Sequence, residues 1–337
     1  MTAIEDVVPA QGSDRTTPPK MPPGVLVDGP VVDAKFRDSY ISFAMMIAGS
    51  IGALVWAFTQ GIGWVEISVF AGMFMLTTMG IGFMHRYFVH RSYRCGPVMR
   101  TILAAIATMA VQGSILKWVS NHRRHHLHSD KPGDVHSPYY DGFGNSIEGF
   151  AKGMGHAQGG WVWDQATTDS EYYARDILAD PIAMFFTRTR WYWYALSALI
   201  IPAALGYAFG GVHTMIGCVL FSGLFRSYLM TMATSLVNSV CHSDGRWGYR
   251  RFELDDGTTN ELVTTILTFG EGLHNNHHRF PRDAYLSHAW YEIDINGLII
   301  LGLGKLGLVH DIFSARRRTP GASDGGKRSV PEPEAMV

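Results

Sequence analysis

The chain has 337 residues, of which 47% are hydrophobic and only 17% charged, with a mean hydropathy of +0.05. That is too apolar for an ordinary soluble enzyme of this length and points to a membrane protein. A formal net charge of -1 leaves no footprint for nucleic acid, and three scattered cysteines, Cys95, Cys218 and Cys241, make neither a disulfide framework nor a thiolate metal site.

Residues 1–35, with "TTPPKMPPG", lack apolar periodicity and read as a disordered tail; no cationic stretch precedes an apolar core, so no cleavable signal peptide is expected. Uncharged runs at about 40–60 and 66–84, interrupted by Glu66, predict two spanning helices in a tight hairpin, each near the roughly 20 residues a bilayer needs. Residues 101–116 are uncharged but short, which predicts an interfacial or protein-buried helix. A second hairpin is expected from spans at about 191–210 and 213–238, around Gly210 and Gly211. The expected fold is an all-α integral membrane protein: one domain, 36–315, of four transmembrane helices in two hairpins. A helical cap comes from 85–190 and 239–315, and 316–337 form a basic, Pro-rich disordered tail. Lys35, Arg37, Arg86, Arg91, Arg94, Arg190 and Arg246 lie on one side of the spans, and the hairpin tips at Gly61 and Gly210 carry no Lys or Arg. The positive-inside rule therefore places both termini and the cap in the cytoplasm.

The 15 histidines are clustered. "HRYFVH" holds His85 and His90, "HRRHH" holds His122, His125 and His126, and "HNNHH" holds His274, His277 and His278. In the last two the spacing is i, i+3, i+4, which an α-helix gathers within about 100° of arc. His85 and His90 are five apart, about 140° around a regular helix, so they are expected not to share a face and to flank the site or serve separate metals. Asn238 and His242, i and i+4 at the end of the fourth span, aim at one surface.

A lone HxxxxH at a membrane interface reads most simply as side chains meeting headgroups. Two HxxHH clusters on the same side do not, because packed imidazoles without a metal leave buried ring nitrogens seeking partners. Eight or nine imidazoles exceed one zinc site, so two metals are expected, and nitrogen ligation open to oxygen suits iron. Glu271 with His274 matches the Glu-x-x-His of carboxylate-bridged bundles only once, so Glu271 reads as a residue orienting an imidazole. His128, His136, His156, His213, His288 and His310 lack the spacing and read as supporting or structural. "GLGKLG", Gly302 to Gly307, fits a dinucleotide fingerprint after the strand-like "LII", but only 30 of the 337 residues follow, too few for the βαβ unit it requires. Reducing equivalents are thus expected from another protein.

These motifs resemble the membrane-bound Δ9 acyl desaturases of the stearoyl-CoA desaturase type over about residues 40–310, with HxxxxH, HxxHH and HxxHH in order and "NSVCH" and "TFGEGLHNNHHRFP" in the family's places. "YYARDILADP" resembles bacterial members, whose home is the inner membrane. The resemblance implies a four-span bundle whose cytosolic cap holds two iron ions. It implies removal of hydrogen from adjacent methylenes of a fatty acyl substrate by O2, with two electrons from a ferredoxin- or cytochrome b5-type donor and its reductase. The implied ligands are His85, His90, His122, His125, His126, His242, His274, His277 and His278, with Asn238 acting through a water. It further implies an acyl tunnel bent at Gln112, Trp118 and Thr234 and ending at Met73 and Thr77. Ser120 and Asn121 stand where the animal acyl-CoA enzymes have Arg-Asp, and "GGWVWDQATTDSEYY" lacks their basic segment. Coenzyme A, a carrier protein or a glycerolipid thus all stay open as the carrier. A hydroxylase, an acetylenase and an inert metal-binding membrane scaffold stand as alternatives to a desaturase.

Overall fold

The computed structural model describes residues 21–315. Residues 1–20 and 316–337, expected as tails, lie outside the described residues. Residues 21–35, also assigned to the N-terminal tail, are instead folded. Val25–Leu26 pairs antiparallel with Thr167–Thr168, and α1 (Pro30–Gln60) begins at a proline whose fixed φ suits a first turn. Lys35 then ties α1 to the cap, its Nζ donating to the carbonyls of Asp164 at 2.5 Å and Ala166 at 3.0 Å.

α1 ends at Gly61, whose φ of 79° only glycine adopts freely, and α2 (Trp64–Phe83) follows at once. The chain therefore turns at Gly61–Gly63, the expected hairpin tip, and Glu66, which interrupts the uncharged run, is buried in the first turn of α2, where a helix favours negative charge. α2 runs on as a π-helical segment, Met84–Val89, so the second span covers Trp64–Val89 and passes the expected end at residue 84.

The stretch 101–116 is two helices, α3 (Pro97–Met109) and α4 (Ile115–His128), broken where Val111 and Gly113 take positive φ. Ser114 caps α4 by accepting a hydrogen bond from the Lys117 amide. α3 lies against α2 so closely that a methyl group at Gly80 would sit 2.4 Å from the Ile106 carbonyl oxygen. α5 (Phe150–Gln158), α6 (Ser170–Tyr173) and α7 (Arg175–Leu178) complete the middle of the cap.

The second hairpin is one continuous apolar element, Pro181–His242. It comprises α8 (Pro181–Ala195), a π turn, α9 (Ile201–Gly217), a second π segment, α10 (Arg226–Ser239) and a closing 3-10 turn. Inside α9, Gly211 leaves the helix at φ 71°, ψ -163°. Across this break the chain folds back on itself: a methyl group at Gly223 would lie 1.9 Å from the Ala198 carbonyl oxygen, and one at Gly206 2.8 Å from the Cα of Met215. The third and fourth spans are thus residues 181–210 and 212–242. With Phe58 88% and Phe209 72% exposed, the outer faces of the spans are apolar, and the molecule is an all-α membrane protein.

Arg226 is fully buried among the spans. Its guanidinium donates to the Ser222 carbonyl at 2.9 Å, Thr77 Oγ1 at 2.9 Å, Ser197 Oγ at 3.1 Å and Ser227 Oγ at 3.1 Å. Ser197 and Ser222 belong to the two π segments, which leave carbonyls off the regular ladder, and Arg226 recovers them while joining the second, third and fourth spans. The cap closes with α11 (Leu262–Leu267), α12 (His274–Arg279) and α13 (Ile295–Lys305). The strand-like "LII" lies inside α13 and is helical.

Candidate metal centre

The HxxxxH pair departs from the α-helical expectation because its backbone is not α-helical. The amide of His90 donates to the carbonyl of His85 at 3.2 Å, an i to i+5 bond that widens the turn. Five residues then make little more than one turn, and both rings face the same way, their centroids 4.8 Å apart. They neither flank the site nor serve separate metals: they belong to one group.

The histidines form two groups, each with its donor nitrogens within 4.8 Å of one another. His85, His90, His122, His126 and His277 make the first; His125, His242, His274 and His278 make the second. α4 sends His122 and His126, i and i+4, to the first group and His125 to the second. α12 sends His277 to the first and His274 and His278 to the second. The i, i+3, i+4 spacing therefore divides each cluster between two adjoining centres instead of converging on one point.

Loop carboxylates that spacing could not reveal hold the outer nitrogens. Asp134 accepts from His125 Nδ1 at 2.9 Å, Asp130 from His242 Nδ1 at 2.7 Å and Asp256 from His278 Nδ1 at 2.9 Å. Glu271 accepts from His85 Nδ1 at 2.5 Å and is itself held by Arg86 at 3.0 Å and Asn296 at 2.9 Å. Burial alone would raise the Glu271 carboxyl, but the Arg86 guanidinium and His85 overrule it and hold it at about 2. Only the proximity of "SDKPGD", residues 129–134, to HRRHH hinted at the aspartates; Asp256 carried no signal at all.

The carboxylates fix the tautomers of His85, His125, His242 and His278. A ring whose Nδ1 proton goes to a carboxylate presents a bare Nε2 lone pair inward. His125 and His278 both do so, yet their Nε2 atoms face each other at 3.3 Å. In the first group His277 Nε2 lies 3.0 Å from His85 Nε2 and 2.8 Å from His126 Nε2. Opposed lone pairs repel unless a cation lies among them, so the donor set fits metal ions in both groups. The environment keeps most of these rings from binding protons; His242 is the exception, since burial would lower it but Asp130 raises it to about 8. Burial, then neighbouring rings, lowers His90, His122, His126, His274, His277 and His278 well below the usual imidazole range, and His125 to about 3. His136, 4.4 Å from His125 ring to ring, joins Asp134 as a supporting residue, since Asp134 and His125 Nδ1 already satisfy each other.

Of the residues expected along an acyl tunnel, Trp118 stacks on His122 at 4.9 Å and lies 5.8 Å from His85, directly beside the first group. Gln112 donates to Thr231 Oγ1 at 3.0 Å, not to Thr234, whose hydroxyl turns back to the Met230 carbonyl of its own helix. Thr231, one turn before Thr234, is a partner the motif comparison missed. Met73 is buried against Val69, Met109 and Cys218, and Thr77, fully buried, meets Arg226. Asn238 stands one turn before His242 on α10.

Against known proteins, the profile described as fatty acid desaturase matches residues 61–295. The chain is 36% identical over 269 residues to a hex-5-enoyl-[acyl-carrier protein] acetylenase of Moorena producens, covering 78% of this chain and 82% of that one. It is 28% identical over 285 residues to an sn-1 stearoyl-lipid 9-desaturase of Anabaena variabilis, covering 83% and 96%. It is 32% identical over 237 residues to an sn-2 palmitoyl-lipid 9-desaturase of a Nostoc strain, covering 68% and 75%.

Proposed function

From the premise that the chain belongs to the fatty acid desaturase family, we propose that it places a cis double bond, at Δ9, in a saturated long-chain acyl group. The net change consumes O2, two electrons and two protons, and releases two waters as two methylene hydrogens leave the chain. The electrons come from a separate donor of ferredoxin or cytochrome b5 type. The observation that carries the reading is the pair of adjoining histidine groups, each with Nε2 atoms facing one another at about hydrogen-bond distance, the first of them beside Trp118.

His85, His90, His122, His126 and His277 would hold one iron and His125, His242, His274 and His278 the other, with Asn238, one turn before His242, beside that second group. Once bound and reduced, the irons supply the O2 chemistry that breaks an unactivated C–H bond. The protein supplies position, because an alkyl chain has no polar handle and only a shaped, dry channel selects one carbon. Trp118 presents its face next to His122, and the Gln112–Thr231 bond joins the α3–α4 break to α10, fixing the bend. Met73 and Thr77 close the far end, where Arg226 holds Thr77 in place. Both termini and the centre lie on the cytoplasmic side of a bacterial inner membrane, supported by the basic residues at that end of the spans and their absence at Gly61–Gly63 and Gly211.

A second reading, an acetylenase that converts an existing alkene to an alkyne, is favoured by the 36% identity to the Moorena acetylenase. Gas chromatography with mass spectrometry of acyl groups from a desaturase-deficient host separates the two. Desaturation yields a new Δ9 cis alkene; an alkyne or a hydroxylated chain rejects it. Feeding the acyl chain on coenzyme A, on a carrier protein or in a glycerolipid to the reconstituted protein identifies the carrier.

A further inference from the structure

"GLGKLG" takes no part in the histidine centre. It ends α13 and forms the turn after it, at the carbonyl end of the helix, which disfavours a phosphate, so the dinucleotide likeness fails on structure as well as on length. Two of its glycines leave space open, since a methyl group at Gly302 on the helix or at Gly307 in the turn after it would meet nothing within 4 Å, while Gly304 lets Ile312 pack close, 2.5 Å from where its methyl group would sit. Along that flank runs an open gutter of about 690 Å³ with Leu298, Leu301, Gly302, Val309 and Ile312 among its walls. Leu298 is 55% exposed and Leu306, just beyond it, 73%.

The strand pair Arg94–Cys95 with Val309–His310 borders this gutter, and a second cleft of about 440 Å³ adjoins it, sharing Asp311 and Ile312. The second cleft is cationic. Arg91, Arg94 and Arg282 line it against a single carboxylate, Asp311, which Arg94 meets loosely at 3.7 Å with both side chains mostly exposed. Arg91 pairs with Asp176, an aspartate that Arg123 also holds, and Arg282 lies 4.9 Å over the Phe313 ring. The level of the groove is set by Asn296, at the start of α13, which packs so tightly on Gly82 that a methyl there would lie 2.4 Å from its Cγ. α13 therefore starts against the last turn of α2, near the end of the second span beyond which Arg91 and Arg94 follow.

An apolar gutter that ends in three guanidinium groups at that depth is complementary to an amphiphile with a negative head. We propose that this groove binds an anionic phospholipid, with its phosphate on Arg91, Arg94 and Arg282 and an acyl chain along Leu298, Gly302 and Ile312. The site is separate from the histidine centre and stands whether or not the desaturase reading holds.

The test uses the full chain purified in detergent from mixed phosphatidylcholine and phosphatidylglycerol, with retained lipid counted by native mass spectrometry. Wild type is expected to retain phosphatidylglycerol above its share of the mixture. Arg94→Glu with Arg282→Glu reduces that enrichment by at least about fivefold for each arginine, the scale of one basic side chain at an anionic surface. Gly302→Leu, which fills the gutter without altering charge, reduces it as well. Should the glutamate pair fail to fold, Arg94→Gln with Arg282→Gln gives the same reading. Retention matching the bulk mixture in wild type overturns the proposal. So does loss in the arginine variants with none in Gly302→Leu, which means ionic adsorption only. Unchanged lipid retention in the arginine variants with weakened binding of an acidic ferredoxin makes the cleft a protein dock and likewise overturns it.

Discussion

In the four-histidine group three rings, His125, His242 and His278, have a loop carboxylate on Nδ1, whereas in the five-histidine group only His85 does. The remaining rings of the larger group are placed by the backbone: the π turn that aligns His85 with His90, and the α4 and α12 faces that carry His122, His126 and His277. The same donor chemistry is thus reached by hydrogen-bonded side chains in one centre and by helix geometry in the other. Single second-layer changes should therefore injure the centres unequally.

The largest effects come from the rings themselves. His277→Ala and His125→Ala each open one group, and activity should fall to background with metal lost from the affected centre; metal content and lipid product are read together. A variant that keeps full activity in either case rejects the metal assignment. Next come the carboxylates, where loss of an orienting partner costs about 10- to 100-fold in metal affinity. Glu271→Gln, removing the only carboxylate of its group, should fall at the upper end, and Asp256→Asn, one of three, at the lower. Equal losses would erase the distinction between the centres.

The pH dependence has a definite sign. His125 titrates at about 3 in the folded protein, and six other rings are held low by burial and by one another, while in the unfolded chain all return to about 6.5. Below that value the unfolded chain binds protons the folded one refuses, so the metal-free protein loses stability as pH falls from about 6.5 toward 3. Glu271 adds a loss further down, as pH drops through its unfolded range toward 2. His242 runs the other way: burial would lower it, but Asp130 raises it to about 8, so its contribution is complete below about 6.5 and is lost as pH rises through about 8. The Tm of metal-free protein, followed between pH 8 and 5, should therefore decline below about 6.5, where the seven lowered rings outweigh that single gain, and a Tm constant from pH 6.5 to 5 contradicts the buried neutral rings. The smallest change is His136→Phe, which keeps a ring against His125 and should lower metal affinity by less than about tenfold. Loss of a whole metal from that variant would make His136 a ligand.

The rings that lie on α-helices were legible in the sequence because i, i+3, i+4 spacing survives folding on α4 and α12. His85 and His90 were not legible as one pair, since the reading assumed 3.6 residues per turn where the chain uses a π turn. The spans and the first hairpin tip at Gly61 are visible as uncharged runs, but the far end of the second span is not: Arg86 sits inside it, fully buried and held by the Ala284 carbonyl, Asp294 and Glu271, partners that hydropathy does not see. Asp130, Asp134 and Asp256 read as ordinary loop polarity until the fold brought them to imidazole nitrogens. Arg226 lies in an otherwise apolar run, and nothing in the sequence announces that its acceptors come from three spans.

The most direct test is metal content of the full chain loaded with iron under anaerobic conditions. Two adjoining histidine groups predict two irons per chain, falling to one when Asp256→Asn is combined with His278→Ala. A single zinc with no iron, or an iron content unmoved by that pair of substitutions, would contradict the account.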